Sequence, residues 1–127
     1  MRRVFLDTNF ILDTVIWKID LFGELRRVCD FAYEIVVLDR VHAELEKYHA
    51  QGGKKKEVAN VAHLVLASGG VKLLKTKGGP VDDLLVRLAT KEDAVATQDQ
   101  DLKRRLKAKG VPVVIIREKG YLQFVGR

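Results

Sequence analysis

Several things are scarce in this chain of 127 residues, and each shortage removes a class of answer. A single cysteine, Cys29, leaves no internal disulfide and no cysteine-rich zinc site. A reducing cytoplasm is therefore the expected compartment, with Cys29 in the core. There are two prolines and no repeat, low-complexity stretch or long linker, so one domain spanning residues 1–127 is expected, long enough to bury one core. No apolar run approaches the roughly 20 residues of a membrane-spanning helix. The basic start Met1-Arg2-Arg3 leads into an apolar segment that stops at Asp7 without a small-residue cleavage site, so neither a signal peptide nor a membrane partner is expected. Aromatic residues make up only 7% and lie mostly in apolar stretches. Trp17, Phe22, Phe31 and Tyr33 accordingly read as core or dimer-interface residues, and Tyr121 and Phe124 as residues that stack on a base or close a sheet.

Positive charge is what the chain has in surplus: 23 Lys and Arg against 17 Asp and Glu, a net +6. Such a balance suits a polyanionic partner, and equally an ordinary basic surface, so the placement of the charges matters more than their total.

Strand-like and helix-like stretches alternate along the chain. Val4–Leu6, Ile35–Leu38, Val71–Leu74, Ala94–Thr97 and Val113–Ile116 read as strands, with a short sixth over Tyr121–Val125. A short helix or turn is expected over Phe10–Ile16. Leu21, Leu25, Val28 and Ala32 recur at helical spacing, as do Val41, Leu45 and Tyr48. Val58, Val61, Ala62, Val65 and Leu66 give another stripe, closed by Gly69-Gly70; Val81, Leu84, Leu85, Leu88 and Ala89 give a fourth. Leu102 and Leu106 anchor a basic helix that ends at Gly110. The alternation implies an α/β fold of three layers, α/β/α, with a central, mainly parallel sheet of about five strands and right-handed crossovers.

In such a fold the functional crevice lies outside the carboxyl ends of the strands. Asp7 follows the first strand, and Asp99 and Asp101 follow the fourth. Asp82 and Asp83 open a helix reached from the loops, and Glu44 lies one turn into the helix after the second strand. Like charges gathered at one end of a sheet repel one another, so a fold gains nothing from them unless a cation neutralises them. A hard divalent ion with oxygen ligands, Mg²⁺ or Mn²⁺, is the natural candidate. Each acid taken singly also has a plainer reading: Asp82 and Asp83 as partners of a helix dipole, Asp99 as an N-cap, Glu44 as part of a solvated face.

Val4-Phe5-Leu6-Asp7-Thr8-Asn9-Phe10, Val41-His42-Ala43-Glu44-Leu45, Val81-Asp82-Asp83-Leu84-Leu85-Val86 and Ala96-Thr97-Gln98-Asp99-Gln100-Asp101-Leu102 together resemble the four acidic motifs of PIN-domain ribonucleases, in order and across nearly the whole chain. The Asp-Thr-Asn-Phe opening, the Gly79-Pro80-Val81-Asp82-Asp83 segment and the tail from Leu102 to Val113 most resemble the small archaeal PIN proteins. Those are related to the eukaryotic endonuclease of small-subunit rRNA processing, and some are classed with VapC-like toxins.

The resemblance implies a divalent-metal-dependent endoribonuclease in which Asp7, Glu44, Asp83 and Asp99 hold one or two Mg²⁺ or Mn²⁺ ions. Asp101 would be an outer ligand, Asn9 and Thr97 would orient carboxylates or water, and Asp82 would stand beside Asp83 as a supporting residue. Cleavage by metal-bound hydroxide, leaving a 5′-phosphate and a 3′-hydroxyl, is the implied outcome. His42, His49 and His63 fall outside the motifs and read as helix-face residues with no catalytic role. Setting aside the five acids Asp7, Glu44, Asp83, Asp99 and Asp101 leaves 12 of the 17 acids against 23 bases, a surround of +11. Lys103, Arg104, Arg105 and Lys107, directly after the fourth motif, are the expected RNA contacts, whereas Lys54, Lys55 and Lys56 read as a solvated helix face.

The implied partners are RNA (rRNA, tRNA or mRNA), a second copy of the chain, and, for a toxin, an antitoxin protein. The main rival is a non-catalytic RNA-binding assembly factor of the same fold. A haloacid-dehalogenase-type phosphatase would want an aspartate where Asn9 stands, and a response-regulator receiver would want an acid pair and a strand-end lysine that are not evident.

Overall fold

In the computed structural model, which describes residues 1–126, the aliphatic runs form six strands of one sheet. They are β1 (Arg2–Leu6), β2 (Tyr33–Leu38), β3 (Lys72–Leu74), β4 (Ala94–Ala96), β5 (Val113–Arg117) and β6 (Tyr121–Val125). Their order is β3-β2-β1-β4-β5-β6, with β6 alone antiparallel, paired to β5. The sixth strand thus belongs to the sheet and takes it from about five strands to six. The helices are α1 (Thr8–Ile16), α2 (Leu21–Val28), α3 (Asp39–Ala50), α4 (Gly53–Ser68), α5 (Val81–Leu88) and α6 (Gln100–Lys109). α1, α3 and α4 pack together on one face and α5 packs against α6 on the other, as right-handed crossovers would place them, while α2 lies along β6.

Strands covered on both faces carry unbroken apolar runs, and Val4, Phe5, Leu6, Leu38, Val95 and Ala96 are buried accordingly. Phe10, Ile11, Leu45, Leu85, Leu102 and Leu106 supply the helical side of the same core. Cys29 lies inside it, and burial pushes its thiol up to about 11 against the pull of Arg2, with Asp30 adding to the rise.

Two stripes differ from expectation. The helix that begins at Leu21 stops at Val28, leaving Ala32 exposed, because the chain turns at Cys29 so that Phe31 packs edge-on against Tyr33 and Phe124. On α4 the covered line runs through Ala59 and Ala62, small residues that let the neighbouring helices approach, so Val61 stays largely exposed. Gly69 is needed at the end of that helix, since a Cβ there would stand 2.0 Å from the Phe22 ring. Gly110 closes α6 in the left-handed conformation, at φ 81°, as its sequence position suggests.

At Leu122 the outer edge of β6 is tied by side chains from α2: Glu24 accepts from the Leu122 backbone N–H at 2.9 Å and Arg27 donates to its carbonyl at 2.7 Å. Free strand edges invite pairing with other chains, and this pair occupies both groups. At the foot of the sheet, buried Asp93 takes the Arg3 guanidinium at 2.9 Å and the Thr90 N–H at 2.9 Å, tying β1 to the start of β4.

Candidate active site

β1 and β4 are sheet neighbours from which the chain winds away in opposite directions, so the crevice at their carboxyl ends is the topological switch point of the sheet. Asp7 stands there. Its backbone N–H continues the strand pairing to the Ala96 carbonyl at 3.0 Å, while its side chain caps α1 by accepting from the Thr8 N–H at 2.9 Å. The other carboxylate oxygen accepts from the Thr97 hydroxyl at 2.9 Å. Thr97 is fully buried, and its hydroxyl in turn accepts from the Asp99 N–H at 3.1 Å. Asp99 caps α6 by accepting from the Leu102 N–H at 2.8 Å. Glu44 reaches the same place from α3, its carboxylate accepting a hydrogen bond from the buried Thr8 hydroxyl.

Capping therefore explains part of why Asp7 and Asp99 are where they are, but not their electrostatics. Among the described residues no ion pair reaches Asp7, Glu44 or Asp99; all their hydrogen bonds come from neutral donors. Burial pushes the Asp7 carboxyl above its ordinary range against the pull of Thr97 and Thr8, and the carboxylates of Glu44 and Asp99 push it further the same way.

Other acids of the sheet behave in the opposite sense. Asp39, at the end of β2, is held low by the Thr76 hydroxyl at 2.6 Å and the Thr76 N–H at 3.1 Å. Burial would raise Asp93, but the hydrogen bonds from Arg3 and Thr90 outweigh it and hold that carboxyl low. Those two acids are saturated with partners and serve as ties. Asp7 is strained electrostatically and stands at the switch point of the sheet, the combination that marks a candidate working group.

A divalent cation would relieve that strain, and the donor set, carboxylates and hydroxyls, is the hard oxygen set that Mg²⁺ or Mn²⁺ takes. The oxygens of Asp7, Glu44 and Asp99 do not all lie within 4.8 Å of one another, so for one ion to be held by all three the side chains would have to draw together or a water would have to bridge to one of them.

The third and fourth motifs divide. Asp82 and Asp83 occupy the first turn of α5, where Arg105 from α6 binds Asp83 at 2.9 Å and approaches Asp82 at 3.7 Å. Both carboxylates are about half exposed or more. Asp101 is exposed and ion-paired to Arg104. Asn9 sits exposed in the first turn of α1, with no side-chain hydrogen bond among the described residues. Gln98 is structural, because its amide oxygen accepts from the Ile116 N–H at 2.7 Å and so fixes the end of β5 beside the crevice.

Of the expected RNA contacts, Lys103, Arg104 and Lys107 line an open groove of about 480 Å³ between α6 and the β5–β6 hairpin, joined by Arg117. Arg105 points elsewhere, into its pair with Asp83. Thr8, which holds Glu44, and Arg117, in the groove, are additions from the structure; the hydroxyl next to the strand-end acid Asp7 is the sequence signal for the first, and nothing local marks the second.

A family model described as "PIN like domain" matches residues 4–119. The chain is 30% identical to ribonuclease VapC4 of Methanocaldococcus jannaschii over 131 positions, which cover 99% of this chain and 98% of that protein. It is 31% identical to ribonuclease VapC9 of Archaeoglobus fulgidus over 121 positions, 93% of this chain and 85% of that one. Among solved structures, that of the PIN domain endonuclease Utp24 superposes with a TM-score of 0.80 at 28% identity, covering 98% of this chain and 92% of the other.

Proposed function

The chain belongs to the PIN-like domain family, and on that premise we propose that it is a divalent-metal-dependent endoribonuclease. The observation that carries this is the group Asp7, Glu44 and Asp99, gathered from three elements at the switch point with only neutral donors around them. Relatives named as ribonucleases, and a similar fold named as an endonuclease, support the same reading.

Asp7, Glu44 and Asp99 would hold Mg²⁺ or Mn²⁺, with Asp83 joining once Arg105 releases it. A metal so held supplies an activated water and neutralises charge on the phosphoryl and leaving oxygens. The protein's own part is preorganisation. Thr97 locks Asp7 relative to Asp99, and Thr8 fixes Glu44. The groove of Lys103, Arg104, Lys107 and Arg117 draws in the phosphate backbone beside the fourth motif. Either maturation of ribosomal RNA or cleavage by a VapC-type toxin, with an antitoxin as partner, would use this layout.

The Asp83–Arg105 pair is the one observation that favours the non-catalytic reading, since it neutralises the third motif internally. Incubating the protein with structured rRNA, tRNA and single-stranded RNA, in Mn²⁺ or Mg²⁺ and in chelator, separates the two. Cleavage that needs metal and is lost in Asp7→Asn is expected, with 5′-phosphate product ends; binding without cleavage would favour an assembly factor.

A further inference from the structure

On the outer side of α3 two histidines and a glutamate converge in a way the RNA-cleaving site does not use. His42 and Glu46 lie one turn apart on α3, on one face, while Glu44 between them points away toward Thr8. α4 packs on that face and brings His63 to the same point: the two imidazole rings stand 4.9 Å apart between centroids, 65° between planes. Glu46 Oε1 is 3.2 Å from His63 Nε2 and 3.9 Å from His42 Nε2. One ligand atom from each residue lies within 4.8 Å of the others.

The decisive atom is His63 Nε2. It is buried from solvent and has no hydrogen-bond partner, because the Glu46 oxygen sits off the axis along which that nitrogen could donate. A ring nitrogen shut away from water, unbonded, and facing a carboxylate and a second imidazole is a ligand position in want of an ion. We propose that His42, Glu46 and His63 form a site for Zn²⁺ that clamps α3 to α4.

The donor set agrees. Two imidazoles and one carboxylate suit Zn²⁺, a borderline ion, whereas the oxygen-only group around Asp7 suits Mg²⁺ or Mn²⁺. Zinc bonds of 2.0–2.2 Å in a tetrahedron separate ligand atoms by roughly 3.3 Å. The His63–Glu46 spacing already meets this, and the exposed His42 and Glu46 side chains are free to close the remainder. A cavity of about 250 Å³ bounded by His42, His63, Val41, Leu66 and Leu73 adjoins the two imidazoles. Bound zinc would hold α3, the helix that carries Glu44, against α4. Such a clamp requires nothing of the acidic site and would form whether or not the protein cleaves RNA.

The test is a Zn²⁺ titration of the full chain against a competing chelator, with circular dichroism as a check on folding. The wild type and Asp7→Asn are expected to bind one Zn²⁺ with equal affinity and to gain thermal stability from it. His63→Gln and the surface-exposed His42→Gln should each weaken binding by about 10- to 100-fold or more. No Zn²⁺ bound by the wild type, or binding lost in Asp7→Asn and kept in His42→Gln, would overturn the assignment. RNA cleavage in Mg²⁺ by His42→Gln reports separately on the acidic site.

Discussion

The Thr97 hydroxyl donates to Asp7 Oδ2 at 2.9 Å across 90 residues of chain, and Thr97 Oγ1 itself accepts from the Asp99 N–H at 3.1 Å. One buried side chain therefore sets the spacing between the acids that end β1 and begin α6. Thr97→Val keeps the shape and removes both bonds. Activity should fall by about 10- to 100-fold, as for other groups that orient metal ligands, and stability by about 1–2 kcal/mol for the N–H left without a partner. Thr97→Ser should retain most of both. Cleavage rates and denaturant midpoints of the two variants decide it.

Asp7→Asn should separate function from stability. Ionised Asp7 is disfavoured by burial and by Glu44 and Asp99, so the amide relieves a cost that the folded state carries at neutral pH. In chelator the melting temperature of Asp7→Asn is expected to exceed that of the wild type, while activity in Mn²⁺ drops at least about 100-fold. Adding Mn²⁺ should raise the wild-type melting temperature more than the variant's. Equal or lower stability of the variant in chelator would contradict the electrostatic reading of Asp7.

Arg105 would compete with a metal for the third motif, since it already pairs with Asp83 at 2.9 Å. It is a partly exposed pair with Asp83 and Asp82, so Arg105→Ala should change stability by less than about 1 kcal/mol. Losing the competing cation should lower the Mn²⁺ concentration for half-maximal cleavage by about two- to fivefold. An increase in that concentration would instead make Arg105 an RNA contact.

Acid should loosen the foot of the sheet before the site. Asp93 is held low in the folded protein, so its contribution is present above the unfolded value near about 4 and is lost as pH falls through the lower folded value. Asp7, raised in the folded state, works in the opposite sense and favours folding at low pH. Asp93→Asn should cost about 2 kcal/mol at neutral pH, and the gap from wild type should close below about pH 4. Melting temperatures of both proteins from about pH 2.5 to 7 measure this.

The strand-end acids are legible in the sequence because an apolar run that halts on a carboxylate constrains both the strand and the direction of the acid. That pattern places Asp7 directly and Asp99 within a few residues of its strand, whereas the orienting role of Thr97 is implied only by the family resemblance. What is not legible depends on how separate helices meet. Arg105 finds Asp83 only because α6 packs on α5, and the histidines of α3 and α4 meet only in the register of one helix against the other. Local periodicity assigns an inward face to each helix but not the residue it will face. For the same reason Val61 fits an apolar stripe and still stays exposed, while Ala59 and Ala62 make the contact.

Whether Asp7, Glu44 and Asp99 hold a divalent ion is tested without any choice of RNA by Mn²⁺ binding followed by electron paramagnetic resonance. Wild type and His63→Gln are predicted to take up Mn²⁺ alike, and Asp7→Asn and Asp99→Asn to lose about 10- to 100-fold or more in affinity. Undiminished Mn²⁺ binding by Asp7→Asn and Asp99→Asn would contradict a metal site at these acids.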